Sequence, residues 1–170
     1  SLVTIGSTTN VVTIPTSVTT IDGSVFQGCD AMTSVLIPQS VTSIGANAFE
    51  GCSGLTGSLV LPQGLTEIGE NAFYGCRGLT HLTISEGVTI REDAFSDCTG
   101  LTELAIPEGV TIGEGAFGSC TGITHLTILQ GVIVGVEAFR FCTGITELTI
   151  PKGVTIGKEA FHWCTGITHL

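Results

Sequence analysis

Hydrophobic and polar positions follow a pattern along this chain that recurs every 22 to 24 residues. The period is marked by seven phenylalanines, each followed three residues later by a cysteine: Phe26, Phe49, Phe73, Phe95, Phe117, Phe139 and Phe161. A fixed period of this length is typical of a solenoid, in which each repeat buries its apolar edge against its neighbours. We therefore expect residues 1–170 to form one solenoid domain that is part of a longer repeat array.

A single repeat, LTELAIPEGVTIGEGAFGSCTG at 101–122, predicts the elements of each coil. Within 101–106, the residues after Leu101 alternate, with Leu104 and Ile106 on one face and Glu103 and Ala105 on the other, which indicates a half-buried strand that Pro107 ends. The β-branched residues at 110–112 predict a second short extended segment, and the spacing at 114–120 favours one helical or 3-10 turn. The inward positions of the first strands form a leucine column: Leu82, Leu104, Leu126, Leu148 and Leu170.

The motif I-P-x-x-V-T-x-I-G-x-x-A-F-x-x-C, clearest at 37–52, resembles the BspA-like, Treponema-type leucine-rich repeats. The resemblance covers nearly the whole chain. It implies an α/β-type leucine-rich-repeat solenoid of about seven coils with a parallel sheet, and a binding scaffold rather than an enzyme. It also implies a cell-surface or secreted protein. The four later repeats lack one residue of the usual loop, which predicts a local change of curvature.

The seven cysteines keep the same register, and two interpretations of them are open. In a secreted protein they suggest disulfides, but equivalent positions on parallel coils point the same way, and no C-x-x-C pair offers metal or redox spacing. A buried thiol behaves as a small hydrophobic side chain, and we favour this interpretation, although it suits a reducing compartment and an intracellular assembly better. The predicted core residues are Phe95, Cys98, Phe117, Cys120, Phe139 and Cys142.

Histidine and glutamate alternate at one outward position of the first strands. The column comprises His81, Glu103, His125, Glu147 and His169. Parallel strands lie about 4.8 Å apart, so each histidine is expected beside a carboxylate. A zinc site at His81, Glu103 and His125 is the alternative, but the two histidines are two coils apart and supply too few ligands. We predict a charged, partner-binding strip and no metal.

A threonine column runs beside this strip, at Thr83, Thr127 and Thr149. Regular threonines on a flat solenoid suggest an ice-binding face as a remote alternative, although neighbouring charges argue against it. Ordinary β-propensity explains the column equally well. We include these threonines in the predicted partner-binding strand face.

Large aromatic side chains appear at one position of the last two repeats only. Phe141 and Trp163 stand where earlier repeats have glycine, aspartate or serine, and Arg140 and His162 precede them. Aromatic and arginine side chains often anchor interfaces, which predicts a partner-binding patch at Arg140, Phe141, His162 and Trp163. Alternatively, the rings lie over the open end of the stack or over the next repeat, as terminal repeats require a cap.

Charge and composition narrow the possible partners. Fifteen acidic and five basic residues give a formal net charge of −10, which disfavours nucleic acid. No apolar run approaches the roughly 20 residues that cross a bilayer, so we expect no membrane insertion. Catalytic and nucleotide-binding motifs are absent from the sequence, and we predict no enzyme activity and no cofactor.

The sequence thus favours a non-catalytic scaffold that binds a protein or glycan partner through the strand face and the aromatic patch. A structural spacer, or a subunit contacting its neighbours in a larger assembly, is the main alternative. The strand-face residues vary between coils, whereas the core residues do not. This difference favours a binding scaffold over a structural spacer.

Overall fold

The computed structural model describes residues 4–5 and 10–167, and residues 10–167 alternate between short strands and turns that stack coil on coil. Each of seven coils ends at its cysteine: coil 1 is 10–29, coil 2 is 30–52, coil 3 is 53–76, coil 4 is 77–98, coil 5 is 99–120, coil 6 is 121–142 and coil 7 is 143–164. The predicted solenoid of parallel strands is confirmed.

Each coil contributes two strands, one to each side of the solenoid. The first side contains β2 (Val11–Thr13), β4 (Ser34–Leu36), β6 (Gly57–Val60), β8 (Leu79–Thr83), β10 (Glu103–Ile106), β12 (His125–Ile128) and β14 (Glu147–Thr149). The second side contains β3 (Thr20–Ile21), β5 (Ser43–Ile44), β7 (Glu67–Ile68), β9 (Thr89–Ile90), β11 (Thr111–Ile112), β13 (Ile133–Val134) and β15 (Thr155–Ile156). An additional strand, β1 (Thr4–Ile5), pairs antiparallel with β2.

The two sides differ in continuity. On the second side, seven two-residue strands form one parallel sheet. Each strand ends in an isoleucine or valine, and this residue pairs in register with the equivalent residue of the neighbouring coil. The first side is divided into a sheet of β1, β2 and β4 and a five-stranded sheet from β6 to β14. Coil 3 carries an extra residue, Gly57, and the register shift between β6 and β8 lies at Gly57 and Ser58. The φ of +76° at Gly57 is a conformation that glycine adopts without strain.

The third segment of each coil consists of turns, and the described residues include no helix, contrary to the helical or 3-10 turn predicted for 114–120. Gly115 and Ser119 both have left-handed backbone, at φ of +59° and +57°. A right-handed helical turn cannot continue through such residues. The predicted inward packing of this segment nevertheless holds, since Ala116 and Phe117 are buried.

The core is a continuous stack of phenylalanine rings. Neighbouring ring centroids lie 4.9 Å apart at the closest pair, Phe49 and Phe73, and the rings of Phe73 and Phe95 are within 1° of parallel. Contacts between aromatic rings stabilise a core beyond the effect of the apolar area that the rings bury. Solvent does not reach the six residues predicted for the core: Phe95, Cys98, Phe117, Cys120, Phe139 and Cys142.

The leucine column of the first strands lies against this stack in the middle coils. Leu82, Leu104 and Leu126 are buried, whereas Leu148 is only half-buried in coil 7. The prediction for Leu170 lies outside the described residues. The column therefore lines the interior of the solenoid in coils 4 to 6.

The cysteine thiols tie each coil to the one before it. All seven are free, and the Cys120 thiol donates a hydrogen bond to the carbonyl oxygen of Phe95 at 3.2 Å, a contact repeated from Cys52 to Cys164. Burial raises the pKa of the Cys76 and Cys120 thiols to about 12. Cys29, in the first coil, is exposed.

We predict that a thiol-specific reagent at pH 8 labels Cys29 rapidly and the buried cysteines only after denaturation. The thiolate is the reactive form, and the pKa near 12 of Cys76 and Cys120 leaves almost none of it at this pH, while burial keeps the reagent away from the other thiols from Cys52 to Cys164. Cys29→Ser should remove the rapid phase, and Cys120→Ser should leave it intact. Rapid labelling of several thiols in native protein would contradict the buried ladder.

Candidate binding surfaces

The histidine and glutamate column lies exposed on the first side of the solenoid. Backbone pairing places Glu103 directly between His81 and His125, and His125 beside Glu147. The His125 Nε2 atom lies 3.3 Å from a carboxylate oxygen of Glu147. The last member of the column, His169, lies outside the described residues.

Threonine hydroxyls orient the histidine rings of this column. Thr124 Oγ1 donates to the carbonyl oxygen of Thr102 at 3.2 Å and lies 2.8 Å from His125 Nδ1. The direction of the hydrogen bond between Thr124 Oγ1 and His125 Nδ1 depends on the tautomer of the ring, and the contact leaves Nε2 directed towards Glu147. The same arrangement holds at Thr80 and His81, where the two atoms are 2.9 Å apart. The sequence does not reveal this ordering of the rings.

The structure does not support the alternative of a zinc site in this column. Among the described residues, no three histidine, cysteine, aspartate or glutamate side chains are close enough to hold one ion. The column is an alternating strip of exposed imidazoles and carboxylates, in which His125 and Glu147 are in contact.

The threonine column is in register but is not uniform. Thr127 pairs with Ala105 and Thr149 on either side, and Thr83 pairs with Val60. Thr83 and Thr149 are exposed and Thr127 is half-buried. The same column continues into coils 3 and 2 as Val60 and Leu36, both exposed, which the sequence analysis missed although the strand alternation indicates them. The first side is thus apolar in coils 2 and 3 and charged from coil 4 onwards.

Phe141 and Trp163 project outward on adjacent coils. The Phe141 amide donates to the His162 carbonyl oxygen at 2.8 Å, which aligns the two positions, and the side chains are 45% and 57% exposed. Coil 7 packs against coil 6, yet Phe141 stays half exposed. Its position therefore faces solvent and does not cover the end of the stack.

Both aromatic residues have left-handed backbone, with φ of +58° at Phe141 and +59° at Trp163. The equivalent residues of coils 1 to 3 are glycines, which tolerate this conformation. A bulky residue there is strained by about 1–3 kcal/mol. The structure thus shows two strained aromatic residues that leave about half of their surface exposed to solvent.

The two residues beside these rings are held by neighbouring groups. The Arg140 guanidinium lies 3.0 Å from Glu137 and 3.8 Å from Asp93, which belongs to the coil two before it. The His162 ring stacks on Trp163 with centroids 5.5 Å apart. Arg140 therefore bridges three coils, while His162 supports one face of the indole.

A groove of about 760 Å³ follows the second side of the solenoid over coils 1 to 5. Its floor contains the outward hydroxyl side chains of Thr20, Ser43, Thr89 and Thr111, and exposed carboxylates such as Glu92 and Glu114 lie along its edge. Glu67 is paired with Arg91 at 2.8 Å. In coil 6 the second side is instead apolar, which the sequence analysis did not single out.

A sequence profile described as "BspA type leucine rich repeat region" matches the chain in six copies, over residues 6–111 and 55–168. The chain belongs to this family. The BspA-type assignment agrees with the motif at 37–52 and with the fold. BspA-type repeats of this kind are binding scaffolds in general, and nothing in the chain indicates catalysis.

Solved structures show the same BspA-type architecture. A leucine-rich repeat protein of T. pallidum is 31% identical, with a TM-score of 0.85 over 92% of this chain and 77% of that chain. A leucine-rich cell surface protein of Faecalibacterium prausnitzii is 30% identical, with a TM-score of 0.77 over 96% of this chain. The matched region is 47% of the length of that surface protein.

The pneumococcal vaccine antigen PcpA, at 23% identity and a TM-score of 0.52, shares the fold. None of the curated protein sequences compared with the BspA-type chain matches it. Within the described part of the chain, no helix has the length and apolar character of a membrane span.

Proposed function

We propose that this BspA-type chain is a non-catalytic binding scaffold of a surface or secreted protein, and that it engages a protein or glycan partner. The aromatic patch of Arg140, Phe141, His162 and Trp163 is the principal contact, and the strand-face column from His81 to Glu147 is the second. The surface location is supported by the F. prausnitzii relative, which is a cell surface protein.

The observation that carries this proposal is the strained exposure of the two aromatic rings. Two bulky residues occupy left-handed backbone on adjacent coils and leave about half of each side chain in solvent. Backbone strain lowers stability and the exposed half of each ring gains nothing from burial, so the rings are explained better by a contact outside the chain. Aromatic side chains supply large contact areas at low entropy cost and are enriched among interface anchors.

The surroundings of the rings favour a preorganised site. The His162 ring stacks on Trp163, and its Nδ1 atom lies 3.3 Å from Glu159, so the indole is supported before any partner arrives. Arg140 holds its guanidinium against Glu137 and Asp93, so this neighbour of Phe141 in the chain is also fixed in place. Preorganisation reduces the entropy lost on binding. The patch can therefore stack on an apolar face and donate hydrogen bonds at its edge.

We predict that Trp163→Ala and Phe141→Gly each weaken partner binding at least tenfold, the loss expected for an interface anchor worth more than about 1.4 kcal/mol. The test screens the purified chain against arrayed oligosaccharides and arrayed proteins. Trp163 is the only tryptophan, so a true ligand also shifts its fluorescence and protects it from quenching by acrylamide.

Tyr74→Ala provides the matched control, because Tyr74 is also an exposed aromatic but lies in coil 3, away from the patch. It should leave binding unchanged. If patch variants bind every hit as tightly as the unmodified chain, while Glu103→Lys abolishes binding, the strand face alone is the site. Absence of binding to every arrayed molecule would overturn the proposal.

A further inference from the structure

The outer surface of the second sheet changes character over three consecutive coils. Two exposed positions flank each outward strand residue, one at the corner before the strand and one in the turn after it. Both positions are acidic in coil 5, uncharged in coil 6 and basic in coil 7. The corner column is Glu108, Gln130 and Lys152, and the turn column is Glu114, Val136 and Lys158.

Backbone hydrogen bonds establish that these residues are true neighbours in the stack. At the corner, the Gly109 amide donates to the Gln130 carbonyl oxygen at 3.1 Å. In the turn, the Gly115 amide donates to Val136 and the Glu137 amide to Lys158, both at 3.0 Å. Between the two columns, Ile133 pairs with the strand residues of coils 5 and 7. Charge on this surface is therefore ordered along the solenoid axis.

Coil 6 forms an apolar centre between the acidic and basic coils. Ile133 is 48% exposed and Val136 is 39% exposed, where coil 5 has Thr111 and Glu114. Ile133 is the one apolar residue at the outward position of the seven strands on this side. Clustered exposed apolar side chains with a polar surround mark interaction sites.

We propose that this surface binds a second copy of the same chain through a two-fold axis that runs parallel to the strands of coil 6. The operation places the two solenoids antiparallel. Ile133 and Val136 then meet their own counterparts, and the lysines of coil 7 face the glutamates of coil 5 in the other copy. Such self-complementarity is what an isologous interface requires.

The charges select this arrangement over its parallel alternative. A two-fold axis along the solenoid would bring Lys152 and Lys158 of one copy against the same residues of the other, which is repulsive. In the antiparallel arrangement, Lys152 faces Glu108 and Lys158 faces Glu114, twice in each dimer. Lys158 already lies 3.2 Å from Glu159, but it is 80% exposed, and such a pair contributes little.

The charge-complementary surface comprises coils 5 to 7 and is small, so the association is weak and depends on salt. Small interfaces belong to transient complexes. The attraction between exposed charges decays over about 8 Å at physiological ionic strength and over a shorter distance at higher salt. Salt does not screen the contact between the apolar centres. The dimer surface shares no residue with the aromatic patch or the strand face, so it stands independently of the proposed function.

Sedimentation velocity over a concentration series tests the proposal. At low salt the weight-average mass of the chain should rise with concentration towards twice the mass of the monomer. Raising the salt to 1 M should reduce the dimer fraction. A chain that stays monomeric throughout leaves this surface to a different partner and overturns the proposal.

Charge-reversal variants provide the decisive test of the antiparallel arrangement. Lys152→Glu with Lys158→Glu should abolish self-association, because four glutamates then face four glutamates. Glu108→Lys with Glu114→Lys should abolish it as well. Mixing the two double variants should restore a heterodimer, since every pair is then complementary.

Asp30→Lys with Glu50→Lys is the matched control, which makes the same change of charge as Glu108→Lys with Glu114→Lys, but in coil 2, and leaves the dimer intact. Circular dichroism of each variant verifies the fold, and all the altered side chains face solvent at least in part. Dimers that survive either double variant, or variants that fail to associate on mixing, would refute the antiparallel interface.

Discussion

Phe117→Ala will lower the free energy of unfolding by about 3–5 kcal/mol, the range for truncating a fully buried phenylalanine. The Phe117 ring is inaccessible to solvent and lies between Phe95 at 5.3 Å and Phe139 at 5.4 Å. Truncation removes both stacking contacts and leaves a cavity in the middle of the array. Because repeat stability depends on contacts between nearest neighbours, the loss affects two interfaces. Denaturant unfolding monitored by circular dichroism measures it.

Phe141→Gly is the matched control for this variant, since it removes the same ring from an exposed, left-handed position. Relief of about 1–3 kcal/mol of backbone strain opposes the loss of this half-buried ring, so stability should stay within about 1 kcal/mol of the unmodified chain. Equal losses for the two variants would show that the ring stack does not hold the coils together.

Gly122→Ala will destabilise the chain by about 3 kcal/mol, at the upper end of the cost of overpacking. A β-carbon at this position would lie 2.6 Å from the Leu101 carbonyl oxygen and would also contact that of Thr99. Both atoms belong to the backbone of the preceding strand region and turn, which cannot move without separating two coils. Thermal and denaturant unfolding should both show the loss.

Gly87→Ala separates this steric effect from backbone strain. Gly87 has a φ of +68°, but nothing lies within 4 Å of a β-carbon built there. Only the left-handed conformation is penalised, at about 1–2 kcal/mol. If Gly122→Ala proves no more harmful than Gly87→Ala, the close approach between coils is not a constraint on the fold.

The sequence by itself determined the repeat, the direction of most strand side chains and the identity of the core. These features depend on a strand period of two and on a fixed repeat length, so Phe117, Cys120 and Leu126 could be placed inside without coordinates. The alternation of His81, Glu103 and His125 also followed directly, because equivalent residues of parallel coils become neighbours.

The turn segments could not be predicted in the same way. Apolar spacing at 114–120 is equally compatible with a helical turn and with a chain that reverses twice through left-handed residues. Stacking decided between them, because the Phe117 and Ser119 amides donate to carbonyl oxygens of coil 6 rather than within a helix. Ser119 and Phe141 therefore share a backbone conformation that their residue types do not favour.

Only the tertiary structure decided what the outward residues do. Phe141 could have covered the end of the stack, but with coil 7 in place it remains exposed. Arg140 reaches Asp93 two coils away, and the Thr124 hydroxyl orients His125. Side-chain contacts of this kind depend on the exact rise and register between coils, which a linear pattern does not contain. Inward positions are dictated by the need to bury apolar surface, whereas outward positions are not.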